Sequence, residues 1–429
     1  MKKISFYTFG CRLNQSETSS IQHSFERGGW QVVGVHEPSD IVVINTCTVT
    51  EGGDADTRHL VLKVNRLNPS AQIALVGCQA QIQKEKLAEL PNVRWIVGNG
   101  RKMDLVSVFK EYPSPYKAQV ITPAIEREPF VLQDVSIDRD HTRANIKIQD
   151  GCDFFCSFCE IPYARGRARS RVFEDILSEA QALVACGHKE LILTGINIGT
   201  YAYQDKTLLD VIERLDTLEG LKRLRISSIE PTTIPQDIFK FMGQGQKLCR
   251  YLHIPLQSGD NEVLGEMKRK YTLEEFSDFV RYAYDHVPQI CLGTDVIVGF
   301  PGESEAHFER TTEALRHLPI HYFHVFSYSP RHMAKSRLMQ TMGPQVIQRR
   351  SQVLRDLSQR KRRMFHESLL GSTQFVLFEK PKGDGWQNGL TDHYVRVKIK
   401  EPMDLFNQVL PVRLERIDGQ TVVGELLAS

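Results

Sequence analysis

The chain has 429 residues, room for two or three domains, and its 41% hydrophobic and 25% charged residues are those of an ordinary globular protein. A formal charge of +2 gives no global case for nucleic acid, so only local charge can speak to that. No run of 18 apolar residues exists to span a membrane, and "MKKISFYTFGCRLNQSE" lacks an apolar core of secretory length; the expectation is a cytoplasmic protein.

From Lys3 to about Val97, strand and helix alternate. "ISFYTFG" predicts a strand, "QSETSSIQHSFERGG" a helix closed by Gly28 and Gly29, and "DIVVINT" a strand of the buried type. "QIALVG" and "VRWIVGN" follow, with helices between. Repeated β–α units predict an α/β fold with an N-terminal doubly wound parallel sheet over residues 1–111. Cys11 follows the first strand, Cys47 ends "IVVINTC", and Cys78 follows "IALVG". All three fall at carboxyl ends of parallel strands, where open α/β sheets bind ligands, so thiols 36 and 31 positions apart are expected to converge. The proline- and charge-rich "EYPSPYKAQVITPAIEREP" predicts a linker over residues 112–141.

Residues 142–367 repeat the alternation. "ANIKIQ", "ELILTG", "LKRLRISS", "RYLHIPLQ", "GTDVIVGF" and "HYFHVFSYS" are strand candidates separated by amphipathic helices, which predicts a partial (β/α)6 barrel. Polar and glycine-rich signatures follow these strands, as expected of a functional mouth. The basic helix "QVIQRRSQVLRDLSQRKRRMFHESLLG" leads into residues 368–429, where short strands and turns predict a small all-β barrel of five strands.

Nine cysteines in a cytosolic chain suggest ligands, catalytic thiols or core residues rather than disulfides. Cys186, Cys249 and Cys291 read as buried structural thiols. Cys152, Cys156 and Cys159 crowd into "GCDFFCSFC". Zinc sites usually complete four nitrogen or sulfur ligands, and no histidine lies near. Iron–sulfur cubanes are wrapped by short cysteine loops, and Phe154, Phe155 and Phe158 suit their apolar shielding. Three thiolates leave one iron of a cubane open, the mark of a metal that binds substrate or cofactor.

This spacing after the first strand of a β/α repeat resembles the radical S-adenosylmethionine (SAM) superfamily. With three further cysteines in a preceding domain, the chain resembles the radical-SAM methylthiotransferase family over essentially its whole length. The resemblance is carried by "FGCRLNQSET", "INTCTVT", "LVGCQAQ", "GCDFFCSFCEIPYARGRARSR", "LTGINIGTY", "RISSIEP", "HIPLQSGDNEVLGEMKRKYT", "DVIVGFPGE" and "GLTDHYVRV". It implies an N-terminal methylthiotransferase domain, a radical-SAM core and a C-terminal TRAM-like barrel. Two [4Fe–4S] clusters are implied: an auxiliary one on Cys11, Cys47 and Cys78, and a SAM-binding one on Cys152, Cys156 and Cys159. SAM is then both methyl donor and radical source, because an unactivated C–H bond offers no handle to acid–base catalysis.

Resemblance and strand-end placement together point to SAM contacts at Thr194, Gly195, Asn197, Ser228, Glu230, Gln257, Asp295 and Gly299. Tyr163 and Arg165 either orient the cofactor or cap the loop. The implied substrate is tRNA. "FGCRLNQSET" is most like the branch acting on N6-threonylcarbamoyladenosine next to the anticodon, at position 37. The alternatives are isopentenyladenosine in tRNA and a ribosomal-protein aspartate. Expected tRNA contacts are Arg165, Arg167, Arg169 and Arg171 near the cluster loop, with Lys380, Lys382, Arg396 and Lys398 in the final barrel. An electron donor of flavodoxin or ferredoxin type and a sulfur source are further implied partners. One departure stands out: relatives often carry a proline-arginine-x-glycine-threonine turn after the sixth barrel strand, whereas this chain has "SPRHMAKSRLM". Two other classes compete: an RNA-binding protein with structural metal sites, and a radical-SAM enzyme whose auxiliary cluster only relays electrons.

Overall fold

The computed structural model describes residues 1–49, 51–113, 116–132, 142–227, 229–245, 247–381, 383 and 385–427. The chain divides into two compact units. One comprises Met1–Ile137, Lys147–Asp175 and Ser329–Leu338; the other comprises Asp138–Ile146, Ile176–Tyr328 and Met339–Ser429.

The first unit is built on six parallel strands: β1 (Lys3–Thr8), β2 (Gln31–Val32), β3 (Ile41–Thr46), β4 (Gln72–Gly77), β5 (Val93–Val97) and β6 (Gln119–Ile121). β3 is buried at every position, as its unbroken apolar run requires of a strand covered on both faces. One face carries Ile4, Phe6, Phe25, Trp95 and Phe109, from strands and from helices Arg12–Arg27 and Leu105–Glu111. The other carries Val42, Ile44, Leu75, Leu60 and Val61, the last two from helix Glu51–Leu67. The order β2-β1-β3-β4-β5-β6 places the switch in winding direction between β1 and β3, where doubly wound sheets open a crevice. β6 lies inside the stretch read as a linker: Gln119, Val120 and Ile121 pair with Trp95, Ile96 and Val97. Proline and charge density therefore marked an edge strand rather than a free connection.

The strand β7 (Arg143–Lys147) ends where the pair β8 (Gln149–Asp150) and β9 (Arg169–Ser170) begins; these two are antiparallel and frame the Cys152–Cys159 loop in the first unit. In the second unit, β10 (Glu190–Thr194) is followed by the short hairpin β11 (Ala202–Tyr203) and β12 (Lys206–Thr207). The strands β13 (Arg223–Ile226), β14 (Tyr251–His253), β15 (Cys291–Val298) and β16 (Tyr322–Ser327) complete the series. They form two three-stranded sheets, β13-β10-β7 and β14-β15-β16. The sheets join where Leu224 N–H donates to Lys247 O (2.8 Å) and Cys249 N–H to Leu224 O (2.8 Å). Several helices between the strands start at capping boxes, Thr272 with Glu275 being one, each worth about 1 kcal/mol. At Gly293 a Cβ would come 2.4 Å from the Tyr322 ring, so only glycine lets that aromatic ring lie across β15.

After helix Pro344–Ser368, β17 (Thr373–Phe378), β18 (Gln387–Thr391), β19 (Arg396–Ile399), β20 (Val409–Asp418) and β21 (Thr421–Leu426) close a five-stranded barrel in the order β17-β18-β19-β21-β20. Its core of Val376, Phe378, Val397, Leu414 and Val422 is continuous with Tyr251, Cys291 and Tyr322 of the preceding strands. Arg223 donates to Leu390 O (2.7 Å), and Arg225 donates to Asp392 O (2.9 Å) and Thr391 O (3.2 Å) while pairing with Glu190 (2.7 Å). Cys249 and Cys291 are buried as expected, but Cys186 is exposed: it follows helix Phe173–Ala185, where the chain turns out through Gly187. Among the described residues, no helix is long and apolar enough to cross a membrane.

Candidate metal and cofactor site

Three loops of the first unit carry the first set of thiols. Cys11 caps helix Arg12–Arg27 just beyond β1, Cys47 directly follows β3, and Cys78 opens helix Cys78–Ile82 after β4. Asn14 fixes the first two loops by donating to Phe9 O (2.8 Å) and Thr46 O (3.1 Å). Thr46 Oγ1 ties the second to the third, donating to Val76 O (2.7 Å). Gly10 sits at φ +93°, and a Cβ there would lie 2.7 Å from Cys47 Sγ, so the close approach of these loops depends on that glycine. Burial, reinforced by Cys78 and Cys11, pushes the Cys47 thiol up to about 11, while Arg165 pulls the other way. A thiol whose proton affinity is raised by two thiols beside it calls for a cation among the three.

The second set lies in one loop of the same unit. Cys159 N–H donates to Cys156 O (3.1 Å), a tight turn, and Cys152 N–H donates to Gly166 O (3.1 Å). Two sulfurs accept backbone N–H groups, Cys152 Sγ from Phe154 (3.5 Å) and Cys159 Sγ from Ile161 (3.4 Å). Such bonds stabilise thiolate over thiol and tune cluster potential. Tyr163 stands edge-on to Phe155 (5.7 Å), and Arg167 covers the other side of that ring (4.2 Å). Asn99 links the two sets, donating to Cys78 Sγ (3.5 Å) and to Ala164 O (2.7 Å).

Between the sets lies a buried ionic network. Arg165 donates to Glu17 (2.9 and 3.0 Å), to Asp150 (3.0 Å) and to Asn14 Oδ1 (2.6 Å). Lys147 pairs with Glu17 and Asp150 (both 2.7 Å), Lys102 with Glu17 (2.5 Å) and Arg169 with Asp150 (3.0 Å). Burial alone would raise the Glu17 carboxyl; Arg165, Lys102 and Lys147 overcome it and hold Glu17 well below the usual range. The network has four cations to two carboxylates, and Cys78 acts as a negative neighbour on both Arg165 and Lys102. Buried charge is tolerated only when matched, so the excess positive charge fits thiolates and the anionic cluster they would hold.

A second tie runs through Glu160, next to Cys159. It accepts from Thr48, next to Cys47, from Arg331 Nε (3.2 Å) and from Met333 N–H (3.2 Å). Arg331 belongs to "SPRHMAKSRLM" and also pairs with Asp54. The divergent segment thus braces the cluster loop, beside a cleft of about 360 Å³ lined by Gln83, Lys86, His332 and Arg337.

In the second unit the expected SAM contacts are placed unevenly. Thr194 is buried and donates to Ile146 O (3.1 Å); Gly195 begins the following turn; and Asn197 accepts from Thr233 (3.0 Å). Burial pushes the Glu230 carboxyl up, against the pull of its partner Arg269. Gln257 donates through its backbone to Asp295 O (2.8 Å), and Gly299 N–H donates to Glu303 (2.9 Å). Ser228 lies outside the described residues. Asp295 faces His253 (2.8 Å) and His324 (3.3 Å), which overcome its burial and hold its carboxyl below the usual range. The histidines escaped the sequence reading, although His253, Asp295 and His324 recur on successive strands.

Of the four arginines expected to meet tRNA near the loop, three turn inward. Arg165 and Arg171 are 1% exposed, Arg171 being held by Asp175 (2.6 Å), and Arg169 is spent on Asp150. Only Arg167 is open to solvent. In the barrel, Lys380 and Arg396 are exposed, Lys398 pairs with Asp418 (2.7 Å), and Lys382 lies outside the described residues.

Residues 146–315 match the family described as the Radical SAM superfamily, and residues 3–98 match Uncharacterized protein family UPF0004. The chain is 36% identical to the threonylcarbamoyladenosine tRNA methylthiotransferase MtaB of Aquifex aeolicus, covering 92% of this chain and 96% of that one. It is 31% identical to the tRNA-2-methylthio-N6-dimethylallyladenosine synthase of Protochlamydia amoebophila, over 99% and 96% of the two chains. Among solved structures, the radical SAM methyltransferase TsrM of Kitasatospora setae shares the fold, at TM-score 0.55 and 16% identity over 77% of this chain and 76% of that one.

Proposed function

Because the chain belongs to the radical-SAM tRNA methylthiotransferases, we propose that its substrate is N6-threonylcarbamoyladenosine at position 37 of tRNA, converted to the 2-methylthio derivative with two [4Fe–4S] clusters. The observation that carries the two-cluster reading is the gathering of both cysteine triads into one compact unit, with an excess of buried cations between them. Cys11, Cys47 and Cys78 would hold the auxiliary cluster, and Cys152, Cys156 and Cys159 the SAM cluster. When bound, such groups supply an electron for cleaving SAM and a seat for the sulfur to be transferred. One SAM would serve as methyl donor and a second as radical source.

The side chains position and shield. Asn99 holds the two loops in register through Cys78 and Ala164. Phe155, under Arg167 and Tyr163, keeps water from the cluster loop. Arg165 keeps Glu17 and Asp150 ionised and so fixes the network's charge. The threonylcarbamoyl substrate is supported by the higher identity to the Aquifex relative than to the dimethylallyladenosine synthase. In this reading a low-potential donor of flavodoxin or ferredoxin type and a sulfur source complete the partners, and the cytoplasm is the location a tRNA substrate fits.

The test is anaerobic reconstitution with iron and sulfide, followed by iron counting and mass analysis of tRNA nucleosides. About eight irons in the wild type and about four in a Cys11/Cys47/Cys78 triple-alanine variant are expected, the contents of two cubanes and of one. The mass gain should appear on threonylcarbamoyladenosine. About four irons in both proteins would reduce the chain to a single-cluster radical enzyme.

A further inference from the structure

The second unit gathers two imidazoles and a carboxylate on one face of the β14-β15-β16 sheet. His253 Nε2 and His324 Nδ1 both turn to Asp295 Oδ1, at 2.8 and 3.3 Å, and the three donor atoms lie within 4.8 Å of one another. We propose that His253, Asp295 and His324 form a binding site for a zinc ion or a chemically similar divalent cation, with no cysteine among its ligands.

Strand register brings the three together. Asp295 pairs with His324 across β15 and β16, while His253 pairs with Gly293, two positions before Asp295 and so on the same face. Gly293 leaves room for the Tyr322 ring, which sets the Tyr322 hydroxyl 3.3 Å from His253 Nδ1. Ligand atoms bound to one zinc at about 2.0–2.2 Å stand roughly 3.0–3.5 Å apart. The separations of 2.8 and 3.3 Å therefore need little change to admit an ion. Two imidazoles with one carboxylate are also a donor set that suits such ions. The far nitrogen of a metal-bound histidine is normally held by a hydrogen bond. Here Tyr322, which shares a hydrogen bond with Tyr251 (2.6 Å), stands at His253 Nδ1. When Nδ1 donates to that hydroxyl, the Nε2 lone pair faces Asp295 Oδ1, and two lone pairs 2.8 Å apart require a cation. The two imidazoles stack (5.1 Å), which keeps their edges turned toward the carboxylate. The neighbouring guanidinium of Arg362 is committed to the Tyr322 ring (5.0 Å) and to Gln420 Oε1 (3.2 Å). Side-chain exposure rises from 7% at His253 to 23% at Asp295 and 54% at His324. The site thus opens on the His324 side, which gives an ion a way in and leaves coordination positions for water or a ligand. Asp295 then serves as a metal ligand, in place of the SAM contact expected from the sequence.

Zinc, which binds such donor sets more tightly than ferrous iron, is the probe. Full-length protein reconstituted with iron and sulfide, then freed of excess sulfide, is dialysed against micromolar zinc chloride, and both metals are counted. The wild type should retain about one zinc per chain, with nitrogen and oxygen neighbours at about 2.0–2.1 Å by X-ray absorption. His253→Gln, Asp295→Asn and His324→Gln should each weaken zinc binding by roughly 100-fold, with the iron content unchanged. Tyr322→Phe, which removes only the hydroxyl at Nδ1, should weaken it by roughly tenfold. His317→Gln, at an exposed histidine paired with Glu313, should match the wild type. Unfolding temperatures check that each variant is folded, and His324, more than half exposed, is the ligand whose replacement disturbs packing least. Sulfur neighbours at about 2.3 Å would put the zinc on thiolates and overturn the proposal. So would a wild type that retains no zinc, or zinc binding unchanged in all three ligand variants. Because iron is counted in the same samples, loss of a cluster and loss of this site are read separately.

Discussion

The two units bury charge for different ends. In the first, Glu17 and Asp150 face four cations, and the surplus is matched by neighbouring thiols. In the second, Glu190 faces two buried arginines, Arg223 and Arg225, which spend their other donors on carbonyl oxygens of the C-terminal barrel. The surplus of the first network therefore faces thiols, and that of the second faces backbone carbonyls. A buried ion pair says little about function until its charges have been counted against everything around it.

The largest effects should come from the thiols themselves. Cys156→Ala is expected to abolish SAM cleavage while the other triad still assembles its iron. Cys47→Ala should abolish the methylthio product yet still release 5′-deoxyadenosine, measured by chromatography after reduction with dithionite. Identical behaviour of the two variants, with full iron in both, would break the two-cluster assignment.

Next come the arginines. Arg165→Met and Arg225→Met each remove a buried guanidinium with the several hydrogen bonds it donates, and should each cost about 3–5 kcal/mol, seen as a lowered unfolding temperature. The comparison sharpens in the iron count. Arg165→Met should lose iron from the reconstituted protein, whereas Arg225→Met should keep the wild-type content.

Acid should then weaken the second unit before the carboxylates titrate. Burial pushes His321, His366 and His393 down to about 4, from 6.5 in an unfolded chain. Above pH 7 both states are neutral and nothing is gained or lost. Between pH 6.5 and 4 the unfolded chain takes up protons that the folded one refuses, so stability falls by up to about 3 kcal/mol per histidine. Calorimetry across that window should show the decline, and His393→Gln should flatten it. The smallest effect belongs to the surface. Arg413 pairs with Glu425 at 2.7 Å, but both are more than half exposed, so Arg413→Ala should cost no more than about 1 kcal/mol in the same measurement.

Much of the scaffold was legible. The apolar run of "DIVVINT" announces a strand buried on both faces, and β3 is buried throughout, because such a run has no polar side to offer solvent. Capping boxes mark helix starts at Thr272 and Ser304 for an equally local reason. The arginine-rich "RGRARSR" misled: charge density says nothing about direction, and Arg165 and Arg171 found carboxylates inside the protein. His253 and His324 were invisible because their relation is lateral, across β14 and β16 on either side of β15, 71 residues apart in sequence.

Local order, strand type, helix limits and the crowding of Cys152, Cys156 and Cys159 in one loop are written in the chain, since each depends on residues a few positions apart. Which loops meet at the switch between β1 and β3, which arginines face inward, and which carboxylate lies between two histidines depend on strand order and packing. Those are set by long-range burial, a property of the folded whole that no short window of sequence carries.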